Sequence, residues 1–219
     1  MDYREILAAF AAAATVERAA PMKRYMRDQF EFFGLMTPLR RSLSRPLLQA
    51  ARRAETVDWE FVEACWAKAE RECQYLAVDY LRAVQDRLLT PADLPRVRSL
   101  ALRKSWWDTI DGLDRVVGAI ALRHPEAKGT VLEWSLDSDF WLRRLAIDHQ
   151  LTLGERTDTA LLTQVIENNL GQREFFINKA IGWALRDYSK TDPAFVQGFI
   201  ETHRELMAPL SIREASKRL

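Results

Sequence analysis

The stretch Lys104-Ser105-Trp106-Trp107-Asp108-Thr109-Ile110-Asp111 carries both the helical character of this 219-residue chain and its candidate chemistry. Ser105 followed three residues later by Asp108 has the form of a capping box, which predicts a helix from about Trp106 to Arg123. Asp108 then lies where orphan N–H groups and the helix macrodipole favour a carboxylate. Asp111 has no such role. It lies one turn further in, and Trp107 at i−4 shares its face. An indole wall with a carboxylate at its edge is the geometry of a site, although the same residues would also suit a core tryptophan beside a solvated acid.

Outward from this helix, apolar residues recur at spacings of three and four through most of the chain, with no sustained period-two alternation and no Asn-Gly hairpin. The pattern predicts helices over 2–13, 16–30, 37–53, 58–69, 71–88, 91–103, 106–123, 125–136, 139–153, 157–169, 174–188, 192–202 and 211–218. Thr37-Pro38, Thr90-Pro91, His124-Pro125 and Asp192-Pro193 place proline at or near first turns, where its missing N–H costs nothing, and Gly154 suits a helix stop. Helices of this length with short connections predict an all-α solenoid of stacked antiparallel pairs, HEAT- or armadillo-like, forming one domain over 1–219 with a concave face.

Lys and Arg number 32 and Asp and Glu 31, so total charge does not mark a nucleic-acid binder. The distribution is uneven. Lys23, Arg24, Arg27, Arg40, Arg41, Arg45, Arg52 and Arg53 face only Asp28 and Glu31 within 23–53, and the stretch that follows is net acidic. Cys65 and Cys73 lie on consecutive predicted helices without CxxC spacing or a nearby His pair, which predicts two buried free thiols and no zinc site. The charged start Met1-Asp2-Tyr3-Arg4-Glu5 lacks a signal-peptide core, and the Ala8–Ala14 run is too short to span a bilayer. A cytoplasmic protein with no membrane partner is expected.

Three segments are aromatic and basic together: 21–41, the opening stretch, and 140–146 with 174–188. Most of their phenylalanines, with Trp59, Trp66, Trp134 and Trp141, are expected in the packing between helices. Of Arg143 and Arg144, only one can face solvent on the convex side, so the other must turn towards the groove or the next repeat. Trp183 follows Gly182, whose missing side chain would admit a neighbouring backbone or a ligand. Two indoles, one carboxylate and one guanidinium on neighbouring helices would make a small pocket for a cation, with the Arg holding the carboxylate ionised or gripping a phosphate.

Taken in order, PMKRYMRDQFEFFGLMTPLRR, KSWWDTID, FWLRRLAI, EFFINKAIGWALRDYSKTDP and APLSIREASK resemble the AlkD-like DNA alkylation repair glycosylases, which are built from HEAT-like repeats. The resemblance spans nearly the whole chain. It implies a monofunctional glycosylase that excises positively charged N7- and N3-alkylpurines from duplex DNA, with no cofactor, no metal and no obligatory protein partner. Carried over motif by motif, it makes Asp111 the catalytic carboxylate and Arg144 its partner, with Trp107, Trp183 and Tyr25 as aromatic contacts to the lesion. Lys23, Arg24, Arg27, Arg40, Arg41, Lys104, Lys179 and Arg186 become candidates for phosphate contacts. The departure lies at the end of the chain, since Leu219 comes soon after SIREASK where relatives often continue, which bears on a last cap or backbone contact. The competing expectations are a HEAT-like DNA-structure binder without chemistry and a protein–protein scaffold.

Overall fold

A computed structural model describes residues 3–219. Within these residues lie thirteen α-helices: α1 (Tyr3–Ala12), α2 (Val16–Tyr25), α3 (Thr37–Ala51), α4 (Trp59–Ala67), α5 (Arg71–Val84), α6 (Leu94–Ala101), α7 (Trp107–Arg123), α8 (Ala127–Ser135), α9 (Phe140–Asp148), α10 (Thr159–Glu167), α11 (Phe175–Tyr188), α12 (Pro193–His203) and α13 (Pro209–Ala215). Among the described residues the only β feature is an isolated bridge between Glu31 and Glu70. The all-α, HEAT-like stacking of helices read from the pattern is therefore what the chain forms. No described helix is long and apolar enough to cross a membrane.

The chain divides into two compact units, Met1–Leu89 and Thr90–Leu219. In the first, α1, α3 and α5 contact one another in sequence, and α4 pairs with α5. In the second, α7, α9, α11 and α13 form one row in which each helix touches the next, while α6, α8 and α12 pair with members of that row and α10 packs on α8. Side-chain caps on Phe61, Trp141, Leu161, Phe176 and Phe195 amides come from Asp58, Asp139, Asp158, Glu174 and Asp192. Trp66, Trp134 and Trp141 are buried as expected, while Trp59 is only half-buried. Cys65 and Cys73 are buried free thiols, and burial pushes the Cys65 thiol well up.

Two local expectations need correction. The predicted Ser105–Asp108 box does not form: α7 is capped at Trp106 without a side-chain bond, and the Ser105 hydroxyl donates to the Ala101 carbonyl at 2.6 Å, closing the preceding helix. A true capping box stands instead at Thr90 and Asp93, where a 3-10 turn (Pro91–Asp93) leads into α6. The second helix stops at Tyr25 rather than continuing to 30, because Arg27 and Asp28 both adopt left-handed backbone (φ 54° and 58°). Local periodicity carries no sign of that reversal.

The loop after α2 is held by α5. Glu72, fully buried, accepts the backbone N–H groups of Phe33, Gly34 and Leu35 at 3.0, 2.9 and 3.0 Å. Beside it, the buried Arg71 guanidinium lies 3.8 Å from the Phe30 ring centre. The FEFFGL segment is thus a structural strap rather than a ligand surface. Glu72→Ala strands three buried amide donors, a loss of roughly 3–5 kcal/mol. Urea denaturation should show the midpoint fall accordingly, and an unchanged midpoint would mean the loop is held by other contacts.

Candidate active site

Helices α7, α9 and α11 lie side by side, and each delivers one member of the site: Asp111, Arg144 and Trp183. Their close approach depends on small residues. A Cβ on Gly118 would lie 2.0 Å from the His149 carbonyl oxygen, so α7 can meet the end of α9 only with glycine there. Gly182 serves the same end. Its missing side chain faces Glu214 and Ser211 of α13, so it accommodates a neighbouring helix and not a ligand.

Arg144 is the centre of the arrangement and is 1 % exposed. Its Nε donates to one Asp111 carboxylate oxygen at 2.8 Å and its Nη2 to the other at 3.0 Å, a bidentate clamp. Its Nη1 donates to the Phe176 carbonyl at 2.7 Å, and its guanidinium carbon stands 5.2 Å from the Trp183 ring centre. Arg143, the other member of the pair, is half-buried and turns away from Asp111, with Gln172 as its partner at 3.4 Å. The Phe176 anchor is itself fixed by rings: Trp106 at 5.4 Å, Trp141 at 4.7 Å and a stacked Phe140 at 6.2 Å. These aromatics build the wall behind the arginine.

Asp111 keeps 22 % of its side chain exposed and opens into a cleft of about 220 Å³ lined also by Asp114, Arg115, Leu151, Trp183, Arg186, Asp187 and Lys190. Burial raises the Asp111 carboxyl from its ordinary value, and Arg144 opposes that rise with charge and two hydrogen bonds. Burial alone would lower Arg144, yet Asp148 and Asp111 together lift it, so the guanidinium stays charged. Asp114, fully buried, is pushed well up by burial, with Arg115 opposing. Asp148, on α9 one turn beyond Arg144, is pushed to about 7 by burial, also against Arg144. The cleft therefore holds, at the edge of an indole, a partly open carboxylate clamped by a buried guanidinium. Among the described residues, no group of three or more His, Cys, Asp or Glu side chains could hold a metal ion.

The family model described as DNA alkylation repair enzyme matches residues 6–219, across both units. The chain belongs to that family. A solved structure described as a predicted DNA alkylation repair enzyme from Enterococcus faecalis is 34 % identical, with 94 % of this chain and 96 % of that one covered and a TM-score of 0.85. No curated protein matches. The chain is thus an enzyme of DNA alkylation repair, and DNA is its substrate.

Within this family member, the other residues singled out from sequence fall in varied settings. Trp107 is the half-buried first residue of α7, one turn before Asp111. Tyr25 is 72 % exposed at the end of α2, in the first unit. Arg24, Arg27 and Arg41 are exposed, and Lys104 is half-buried with left-handed backbone (φ 52°). Lys23 pairs with Glu31 at 2.5 Å. Arg40 is buried, ion-paired with Asp79 and 5.2 Å from the Tyr75 ring centre, so its guanidinium is committed inside the first unit. Lys179 and Arg186 both hold Glu214, at 2.7 and 3.0 Å. With Lys217 as a third cation, the Glu214 carboxyl is brought down to about 2, chiefly by the Lys179 and Lys217 bonds.

A basic groove in the first unit adds Arg45, Arg52 and Arg82 to the phosphate-contact candidates expected from the sequence. Arg41, Arg45 and Arg52 of the α3 region and Arg82 of α5 line a cavity of about 520 Å³, whose lining acid, Asp79, is already paired with Arg40. The spacing 41, 45, 52 places the three arginines on one helix face. The signal is legible in the sequence when Arg40 and Arg41 are assigned to different faces of the helix.

Proposed function

We propose that the chain is a monofunctional DNA glycosylase that hydrolyses the N-glycosidic bond of positively charged N7- and N3-alkylpurines in duplex DNA, the entry step of base excision repair. The observation that carries this reading is the Asp111 carboxylate, clamped by Arg144 and open to a cleft beside Trp183. An alkylated purine already bears a positive charge. When its bond to C1′ breaks, the electron pair moves to the base nitrogen and the base leaves neutral, so little acid assistance is needed. The charge that develops lies on the sugar as an oxocarbenium ion. Asp111 sets a fixed negative charge against that cation and orients the water whose oxygen bonds to C1′, the water's proton being lost to the carboxylate or to solvent. Arg144 keeps Asp111 ionised and rigid, and Trp107 and Trp183 supply aromatic surface to the lesion nucleotide; Tyr25, exposed on the first unit, is a separate candidate for contact with DNA.

Phosphate contact is assigned first to Arg24, Arg41, Arg45, Arg52 and Arg82, for which no carboxylate partner stands among the described residues, and second to Arg27 and Lys104. Lys23, Arg40, Lys179 and Arg186 already serve such carboxylates and contribute less. Affinity for undamaged duplex should fall steeply with salt. The double variant Arg45→Gln/Arg52→Gln should reduce the slope of log K against log salt by about 2, near 0.9 for each phosphate that is no longer neutralised. An unchanged slope would remove the groove from the interface.

The deciding assay is release of N7-methylguanine from a duplex oligonucleotide, read as strand breakage after alkali with spontaneous depurination subtracted. Release well above background supports the glycosylase. Binding of the duplex without release would leave a DNA-structure binder, and no binding would leave a scaffold.

A further inference from the structure

Asp148 belongs to the charged group around Arg144, yet the mechanism above leaves it unused. It is 1 % exposed, and neither carboxylate oxygen has a hydrogen-bond partner. Its nearest cation is Arg144, with Oδ2 3.6 Å from Nη2, beyond hydrogen-bond length. That same nitrogen is already engaged by Asp111. A buried carboxylate without a donor is costly, and such groups in native structures call for a physical explanation. The i,i+4 spacing on α9 puts Asp148 on the arginine's face, with its Oδ2 nearest the same Nη2 that serves Asp111. One guanidinium thus stands between two carboxylates, one facing the cleft and one sealed in the interior.

The charges that act on Asp148 are Arg144 from its own helix and Asp111 and Arg115 from α7, and it in turn acts on Asp114. Among the described residues, α6, α8, α10 and α11 bring no further charge that moves it. Three carboxyls (Asp111, Asp114, Asp148) therefore share two guanidiniums (Arg144, Arg115), and charge balance favours one bound proton in the group.

We infer that Asp148 is a positioning residue that shares Arg144 with Asp111, and that its protonation state sets how completely Arg144 neutralises the carboxylate facing the cleft. When Asp148 is neutral, Arg144 belongs to Asp111 and the pair presents little net charge. When Asp148 is ionised, Arg144 is divided, and Asp111 presents a fuller negative charge to a developing cation. The consequence for excision rests on the glycosylase reading above; the division of Arg144 does not.

The test compares wild type with Asp148→Asn, a near-isosteric change that mimics the neutral acid. Single-turnover excision of N7-methylguanine should rise in wild type between about pH 6 and pH 8, the range in which the buried acid ionises. The variant should match wild type at the acid end. At the alkaline end it should be slower by on the order of ten- to a hundredfold, the scale of one unit charge removed from beside a buried ion pair. Affinity for the duplex should not change. A purely structural role would depress the rate equally at every pH, and parallel profiles overturn the inference.

The second readout needs no activity. In free wild-type protein the 15N shift of Arg144 Nε should show an inflection near neutral pH that Asp148→Asn abolishes. A flat Arg144 titration in wild type overturns the inference even if the variant does not fold. Absence of excision by wild type at every pH, with the inflection present, would sink the glycosylase reading and leave the shared guanidinium standing.

Discussion

Asp111→Asn should lower excision of N7-methylguanine from duplex DNA by roughly 10²–10³-fold, the usual cost of removing one preorganised electrostatic partner of a transition state. The substitution keeps the shape of the side chain and one acceptor for the 2.8 Å bond from Arg144 Nε, so the α7–α9 contact survives. What disappears is the negative charge. Arg144 then faces the cleft with Asp148 as its remaining carboxylate partner, and a positive field replaces a balanced one where the sugar cation must form. Duplex affinity should hold or rise, since a negative charge has been taken from a surface that meets phosphates. Loss of rate with retained binding is the pattern of an interaction made only in the transition state. If the variant excises within about threefold of wild type while melting normally, Asp111 is not the centre of the chemistry.

Arg144→Ala should damage the fold as well as the activity. It removes a buried cation that holds two carboxylates and the Phe176 carbonyl, and breaking a buried pair from one side typically costs about 3–5 kcal/mol. The loss depends on pH with a definite sign. Asp111 and Asp148 already have folded-state values above those of an unfolded chain, and without the guanidinium they rise further. Each carboxyl can stay protonated in the folded protein at acid pH, so that part of the stability is full there and is lost as pH climbs through the raised folded value. Urea denaturation should therefore show a much larger deficit at about pH 8 than at about pH 5. Equal deficits would mean that Arg144 acts through packing against Trp183 rather than through charge. Arg144→Lys should recover part of the stability, since a charge returns, but little of the rate, because a single ammonium cannot reproduce the bidentate clamp.

Asp111 and Arg144 come to the site from different levels of the molecule. Helix α7 and the i−4 relation of Trp107 to Asp111 are properties of local periodicity, and they can be read without any tertiary information. The same holds for the proline-marked starts of α3 and α12, for the buried cysteines on α4 and α5, and for the ordered motifs that place the chain in its family. Where local chemistry admits two answers, reading along the chain chooses wrongly or not at all. Ser105 could cap forward or back-bond to Ala101, and the contacts of α6 with α7 decide for the second. Arg143 and Arg144 are equivalent until the approach of α7 to α9 turns one of them onto Asp111.

Local periodicity alone thus makes the chain all-helical, sets which residues share a face, and puts Asp111 one turn from an indole. Each of these follows from a helical period of 3.6 residues, a rule that needs only neighbours along the chain. Tertiary packing alone sets which cations pair with carboxylates of the protein. It also sets Glu72 as a strap, packs a helix against Gly182, and brings Asp148 to the Arg144 nitrogen that serves Asp111. Those outcomes depend on distances between side chains as much as 39 residues apart, as with Arg40 and Asp79. Ion pairing and burial are set by which helices meet and how closely, and no spacing along a single helix encodes that.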